Sequence, residues 1–442
     1  MEKPPPNPPD PAARHPTSPE PSVPSPWGRL RRLAWIDIGP LRRSRDLRWL
    51  FIGQSVSGAG SMLTFVAIPY QAYRITHSSL IVGLLSLAEL GPLLLVAFIG
   101  GVLADAVDRR RMVRWTEFGL CIATAGLVLN AALPPARLWV LFVIAALTAG
   151  LGGLQRPSLS ALVPRLVQPE ELAAAAAANS AGSTFGQVLG PPVAGVLLAT
   201  VGLALTYGVN VATFVFSLFA LAQLTASPPP PDSPGLSLAA VRQGIRYAGS
   251  RQELLGTYLV DIGAMVFGMP TALFPQVASR LGGAAVLGVL YASPAMGALL
   301  LSLTSGWTAR IRRYGRAVAI AAAVWGVGII GFGLAGSLAL AVLALIVAGA
   351  ADEASAIFRS TMWNLTIPDT LRGRLAGIEM LSYSSGPAVG NAEAGLVEAL
   401  FGLRTSIVSG GILCVAACVG LSLALPRFWR YQADPSPVAV ES

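Results

Sequence analysis

The residues of this chain that could do chemistry are ionisable side chains set inside long apolar stretches. Glu89, Asp261, Asp352, Glu353, Glu379, Glu393 and Glu398 fall in such stretches, and Arg156 and Arg359 lie toward the ends of two of them. A charge within bilayer hydrocarbon is costly, so each is a functional candidate. Desolvation favours the neutral form of a carboxylate, which lets a buried acid take up and release a proton near neutral pH. Glu89, near the middle of its stretch, and Asp261 are the leading candidates for that role, with Asp352 and Glu353 behind them. The same positions also suit a structural carboxylate held by an arginine or a helix end. Glu398 belongs at an outer interface. Arg156 and Arg359 sit where snorkelling toward the inner surface would lower their cost. Cys414 and Cys418 are one helical turn apart, but no histidine or further cysteine accompanies them. They read as small packing residues, and no metal site or cofactor is expected.

The elements that must position these groups are membrane helices. The chain has 442 residues, of which 54% are hydrophobic and 12% charged. A soluble protein would carry about twice that charged fraction. Mean hydropathy is +0.63, and apolar runs of helical-span length recur along nearly the whole chain. Twelve spans are expected, at about 49–72, 80–104, 113–133, 138–163, 172–200 and 203–224, then 253–278, 284–308, 316–336, 338–360, 375–400 and 405–425. The prolines of Ser227-Pro-Pro-Pro-Pro-Asp-Ser-Pro234 allow no helix to continue and mark a linker. The expected layout is a Pro-rich cytoplasmic tail with a basic interfacial segment (1–47), a six-helix bundle (48–226), a linker with a surface helix (227–251), a second six-helix bundle (252–426) and a cytoplasmic tail (427–442).

Arginines orient the bundle. With the N-terminus inside, all of the 31 lysines and arginines except Arg74, Arg137, Arg280 and Arg404 fall on the cytoplasmic side or at inner helix ends. The net charge of +9 therefore speaks of anionic lipid and the positive-inside rule rather than of nucleic acid. Between spans 2 and 3 runs Gly101-Val-Leu-Ala-Asp105-Ala-Val-Asp-Arg109-Arg110-Arg111, a tight basic hairpin. Gly101 allows close helix approach, and Asp105 offers a carboxylate to a helix N-terminus or an arginine. A degenerate copy, Gly306-x-x-Ala309-Arg310 with Arg312, Arg313 and Arg316, follows in the second half, and Arg156 with Pro164 recurs as Arg359 with Pro368. Two parallel halves related by an axis along the membrane normal follow from this repeat. In span 5, Gly182, Gly186 and Gly190 recur every fourth residue before Pro191-Pro192-Val193-Ala194-Gly195, giving a small-residue face with a kink.

The Gly101–Arg111 hairpin resembles the motif between helices 2 and 3 of the major facilitator superfamily. The span-5 segment with Gly186, Gly190, Pro191 and Gly195 resembles the kink motif of its proton antiporters, although Ala194 replaces one glycine. The segments 254–275, Phe358-Arg-Ser-Thr-Met-Trp-Asn-Leu-Thr-Ile-Pro368, Leu371-Arg-Gly-Arg-Leu375 and Gln155-Arg156-Pro157 are similar to the enterobactin-exporter branch, also called transmembrane secretion effectors. The resemblance implies an all-α, twelve-helix fold of two pseudo-symmetric six-helix bundles in the bacterial inner membrane, both termini cytoplasmic. It implies a monomer that exports a siderophore-like or other amphipathic small molecule by proton antiport with alternating access. Gly101, Asp105, Arg109, Arg110, Arg156 and Arg359 would form its conformational switch. Relatives often carry Gly-Pro-Arg-x-Gly-Asp where this chain has Gly386-Pro387-Ala388-Val389-Gly390-Asn391, which weakens inferences about substrate and coupling. A multidrug or macrolide efflux pump is the same-class alternative. A membrane sensor or assembly partner is the alternative of another class. No Walker-type phosphate loop or GxSxG is present and neither His15 nor His77 lies in a span, so neither an enzyme nor an ATP-driven pump is expected.

Overall fold

A computed structural model describes residues 39–106, 108–225, 246–247 and 249–432, with side chains for all of these except 97–106 and 369–381. Of the expected surface helix only residues 246, 247, 249 and 250 are described, all helical, and of the expected tails only 39–47 and 427–432; the rest lies outside the described residues. Twelve long helices occur among the described residues: α1 Arg45–Thr76, α2 Ser79–Ala106, α3 Arg109–Ala132, α4 Leu138–Leu162, α5 Leu172–Thr200, α6 Gly202–Ala222, α7 Gln252–Gly268, α8 Ala284–Leu303, α9 Tyr314–Leu334, α10 Leu338–Thr366, α11 Asp369–Phe401 and α12 Leu403–Ala424. Among the described residues, ten spans on these helices are long and apolar enough to cross a membrane, all but α5 and α11 contributing one.

Local chemistry sets the ends. The Ser44 hydroxyl caps α1 by accepting from the Leu47 N–H at 3.2 Å. His77, at φ 52°, closes α1 in the left-handed region. Asp108 caps α3 by accepting from the Arg110 N–H at 2.9 Å, and the Ser337 hydroxyl caps α10 at 3.4 Å. Span 7 departs from the expected single helix. It breaks after Gly268, turns through Pro270 and the short 3-10 segment Thr271–Leu273, and resumes as Phe274–Leu281. Pro270 and Pro275 remove backbone donors at the break. Side chains take up the freed groups: the Trp325 indole donates to the Gly268 carbonyl at 3.1 Å, and the Asn391 amide oxygen accepts from the Ala272 N–H at 3.0 Å. Irregular backbone at membrane depth survives only with such partners.

The two halves repeat one packing pattern. In the first, α1 packs on α5 and α6, α4 on α2 and α3, and α3 on α6; in the second, α7 packs on α11 and α12, α10 on α8 and α9, and α9 on α12. The halves meet along α2 against α11 and α5 against α8, which are themselves equivalent pairs. This is the expected two-bundle architecture. Large apolar side chains such as Trp115, Leu303 and Leu423 stay exposed on the outside, as a lipid-embedded surface requires. Lipid tails are as apolar as leucine, so small-residue packing and buried hydrogen bonds hold the helices together. Tyr207 donates to Gln71 at 2.9 Å and Asn210 to Thr64 at 2.6 Å. Each such bond contributes about 0.6 kcal/mol in a membrane.

Candidate functional site

Two features stand out, a buried charge pair in the second half and a cavity lined mostly by the first. Arg359 of α10 forms an ion pair with Asp261 of α7, at 2% and 5% side-chain exposure. The Ser382 hydroxyl of α11 donates to the second Asp261 oxygen at 3.2 Å. The Arg359 guanidinium lies 5.7 Å from the centre of the Tyr383 ring. One turn further along α10, Trp363 donates to Thr257 at 2.9 Å and stacks on Tyr258 with ring centres 5.3 Å apart. Arg359 therefore does not snorkel. Its charge is held inside by a carboxylate that a second helix supplies and a third orients.

The cavity is about 670 Å³. Its wall comprises Gln54, Ser55, Met62 and Phe65 of α1, Arg156 of α4, Asn179, Ser183 and Gln187 of α5, and Tyr291 of α8, among others. A groove continuous with it runs between α4 and α5 past Val163, Pro164 and Leu172, so the space reaches the arginine-rich end of the bundle. Phe65 and Tyr291 form its floor, in edge contact with ring centres 5.3 Å apart. Beyond that floor the halves are joined. The Asn391 amide donates to Ser86 of α2 at 3.2 Å. Ser79 of α2 donates to Gln276 at 2.9 Å, and Gln276 donates to Glu398 at 2.8 Å. Each of these contacts lies toward the end opposite the arginines.

The other expected site residues scatter. Glu89 is partly buried on α2. Asp352 and Glu353 are partly buried neighbours, and Glu353 accepts from Ser302 of α8 at 3.0 Å. Gly101 and Asp105 lie on α2, with side chains outside the described residues. Arg109 donates to the Ala161 carbonyl at 3.3 Å and Arg110 to the Ala222 carbonyl at 3.3 Å. Both bonds place a cation on the C-terminal end of a helix, α4 and α6, where the dipole favours it. A Cβ on Gly195 would lie 2.8 Å from the Ala284 carbonyl, and one on Gly190 would meet Met62, whereas Gly186 has nothing nearer than Ala59 at 3.8 Å. Pro191 lines the cavity.

Sequence reasoning passed over Glu117, which is 1% exposed on α3 and accepts a hydrogen bond from Gln155 of α4. An acid four residues into the expected span 113–133 was the available signal. The joining residues Ser79, Ser86 and Gln276 carry no signal of their own, because single polar residues at helix ends are ordinary.

The profile of the transmembrane secretion effector family matches residues 37–439. The enterobactin exporter EntS of Shigella boydii serotype 4 (strain Sb227) is 29% identical over 417 residues, covering 92% of this chain and 99% of that protein. EntS of Escherichia coli O81 (strain ED1a) matches to the same degree, 29% over 417 residues. Among solved structures, a bacterial homologue of the lysosomal transporter Spinster, inward-facing and unoccupied, superposes with a TM-score of 0.69 at 16% identity over 88% of this chain and 98% of that one. An inward-facing bacterial homologue of the iron transporter ferroportin superposes with a TM-score of 0.66 at 18% identity over 87% and 98%. These relatives are transporters and not enzymes. The chain is a multi-pass membrane protein of the transmembrane secretion effector family, in the enterobactin-exporter branch of the major facilitator superfamily.

Proposed function

We propose that this protein exports a siderophore-like or other amphipathic small molecule from the cytoplasm across the bacterial inner membrane, by alternating access driven by proton entry. The observation that carries the reading is the shape of the central space: a cavity between the halves reaches the arginine-rich end and is closed at the other by the bonds through Asn391 and Gln276. With the arginine-rich end cytoplasmic, as the positive-inside rule requires, this is the state that loads cargo from inside. The volume suits a small-molecule ligand. The similarity to enterobactin exporters over 92% of the chain supports the cargo class.

Proton coupling would use an acid that changes partners as the halves rock. Asp261, held by Arg359, and Glu89 are the proposed carriers, and Asp352 and Glu353 the reserve. The test is reconstitution with an imposed pH gradient. Inside-out proteoliposomes with an acidic lumen should accumulate a catecholate siderophore, driven by that gradient, and release protons in proportion. A deletion strain grown under iron limitation should lose secreted siderophore and retain it inside. If no candidate cargo moves and no proton flux appears, the reading fails.

A further inference from the structure

Arg156 and Arg359 occupy equivalent places in the two halves, yet the structure puts them to different uses. Arg359 is buried against Asp261. Arg156 is exposed and lines the cavity, and among the described residues no carboxylate lies within ion-pair distance of it. The rest of the wall supplies neutral hydrogen-bonding groups (Gln54, Asn179, Ser183, Gln187) and apolar surface from Met62 and Phe65, and no described lining residue is acidic. A guanidinium offers five N–H donors in a planar fork that matches carboxylates, phenolates and similar oxyanions. In a half-enclosed cavity it is less screened than on an open surface.

We infer that Arg156 is the cargo-recognition residue, and that the cavity selects amphipathic molecules bearing an anionic oxygen group over cationic ones. The inference rests on the export reading and names the charge class of its cargo. Asymmetry between the halves carries it: one arginine has its counter-ion built in, and the other meets its counter-ion on the ligand. Glu89 is the acid that could favour a cation instead, but it lies on α2 outside the lining.

Two xanthene dyes of matched size and opposite charge test the point, anionic fluorescein and cationic rhodamine 123, titrated against the purified full-length protein by fluorescence anisotropy. The unaltered protein should bind fluorescein at least tenfold more tightly than rhodamine 123. Arg156→Gln should weaken fluorescein binding at least tenfold with no change for rhodamine, and Arg156→Lys should restore part of the loss. Preference of the unaltered protein for the cation, equal binding of both dyes, or binding of neither would overturn the inference without any variant being needed. Unchanged fluorescein affinity in a folded Arg156→Gln protein would do the same. Anion-selective binding with no movement driven by a pH gradient would sink the export reading and leave the site standing.

Discussion

Removing one partner of the Asp261–Arg359 pair would strip an almost wholly enclosed charge of the counter-ion seen here. Breaking such a pair costs about 3–5 kcal/mol, whereas replacing both partners with neutral groups costs far less. Arg359→Gln and Asp261→Asn should therefore each lower the melting temperature in detergent, and the double variant should recover most of the loss. Transport separates structure from coupling. If Asp261 carries the proton, Asp261→Asn should flatten the pH dependence of export, and the stabilised double variant should stay flat. A wild-type pH profile in the double variant would remove Asp261 as carrier and move attention to Glu89, where Glu89→Gln is the parallel experiment. At this scale the sequence marks acids that fall inside spans, but neither how deeply each is buried, as Glu117 shows, nor which arginine meets them. Asp261 and Arg359 lie on different helices, and only the packing of α7 against α10 and α11 shows that they touch. Arg156 and Arg359 look alike as a repeat, because the chain spacing that reveals duplication is blind to which copy keeps its counter-ion.

The helices themselves are legible because a bilayer demands continuous apolar runs and internally satisfied backbone. Span 7 is the exception. Its hydropathy reads as one helix, and Pro270 breaks it only because Trp325 and Asn391, distant in the chain, take the freed backbone groups. The glycine motif of α5 is partly a packing device of high stringency. A Cβ on Gly195 would sit within 2.8 Å of the Ala284 carbonyl and 3.0 Å of Gly288, at the seam between the halves, while Gly186 has room. Gly195→Val should thus wedge α5 from α8 at a cost of about 1–3 kcal/mol, and Gly186→Ala should be close to neutral. Export measured beside melting temperature checks this. Gly195→Val should lose about five- to 150-fold in rate, as a wedge of that energy in a two-state machine implies, and Gly186→Ala should stay within about twofold. Equal sensitivity at both positions would mean that the motif acts through helix kinking rather than through the seam.

At the scale of the whole molecule, few side-chain hydrogen bonds among the described residues hold the closed end. The Asn391–Ser86 bond and the Ser79–Gln276–Glu398 relay join the halves there, together with the glycine seams of α2–α11 and α5–α8. Each hydrogen bond contributes about 0.5–1.5 kcal/mol, so the pair amounts to a modest latch, well within reach of the energy of ligand binding. A transporter needs such a latch to be weak, because the same contacts must open on every cycle. Asn391 carries a neutral amide rather than a carboxylate. A neutral amide can accept from Thr271 and Ala272 and still donate to Ser86 across the seam, whereas an ionised carboxylate only accepts. Asn391→Asp should therefore keep the turn in span 7 and lose the cross-seam bond, and Gln276→Ala should cut the relay. Spin labels at the exposed His77 and Arg280, in a background with the partly exposed Cys121 replaced, report this end directly. Wild type should show one short distance. Each variant should gain a longer component, and the combined variant should gain more than either alone, with the opposite change at the arginine-rich end. A distribution unchanged in the combined variant would assign closure to the glycine seams alone and make the latch residues bystanders.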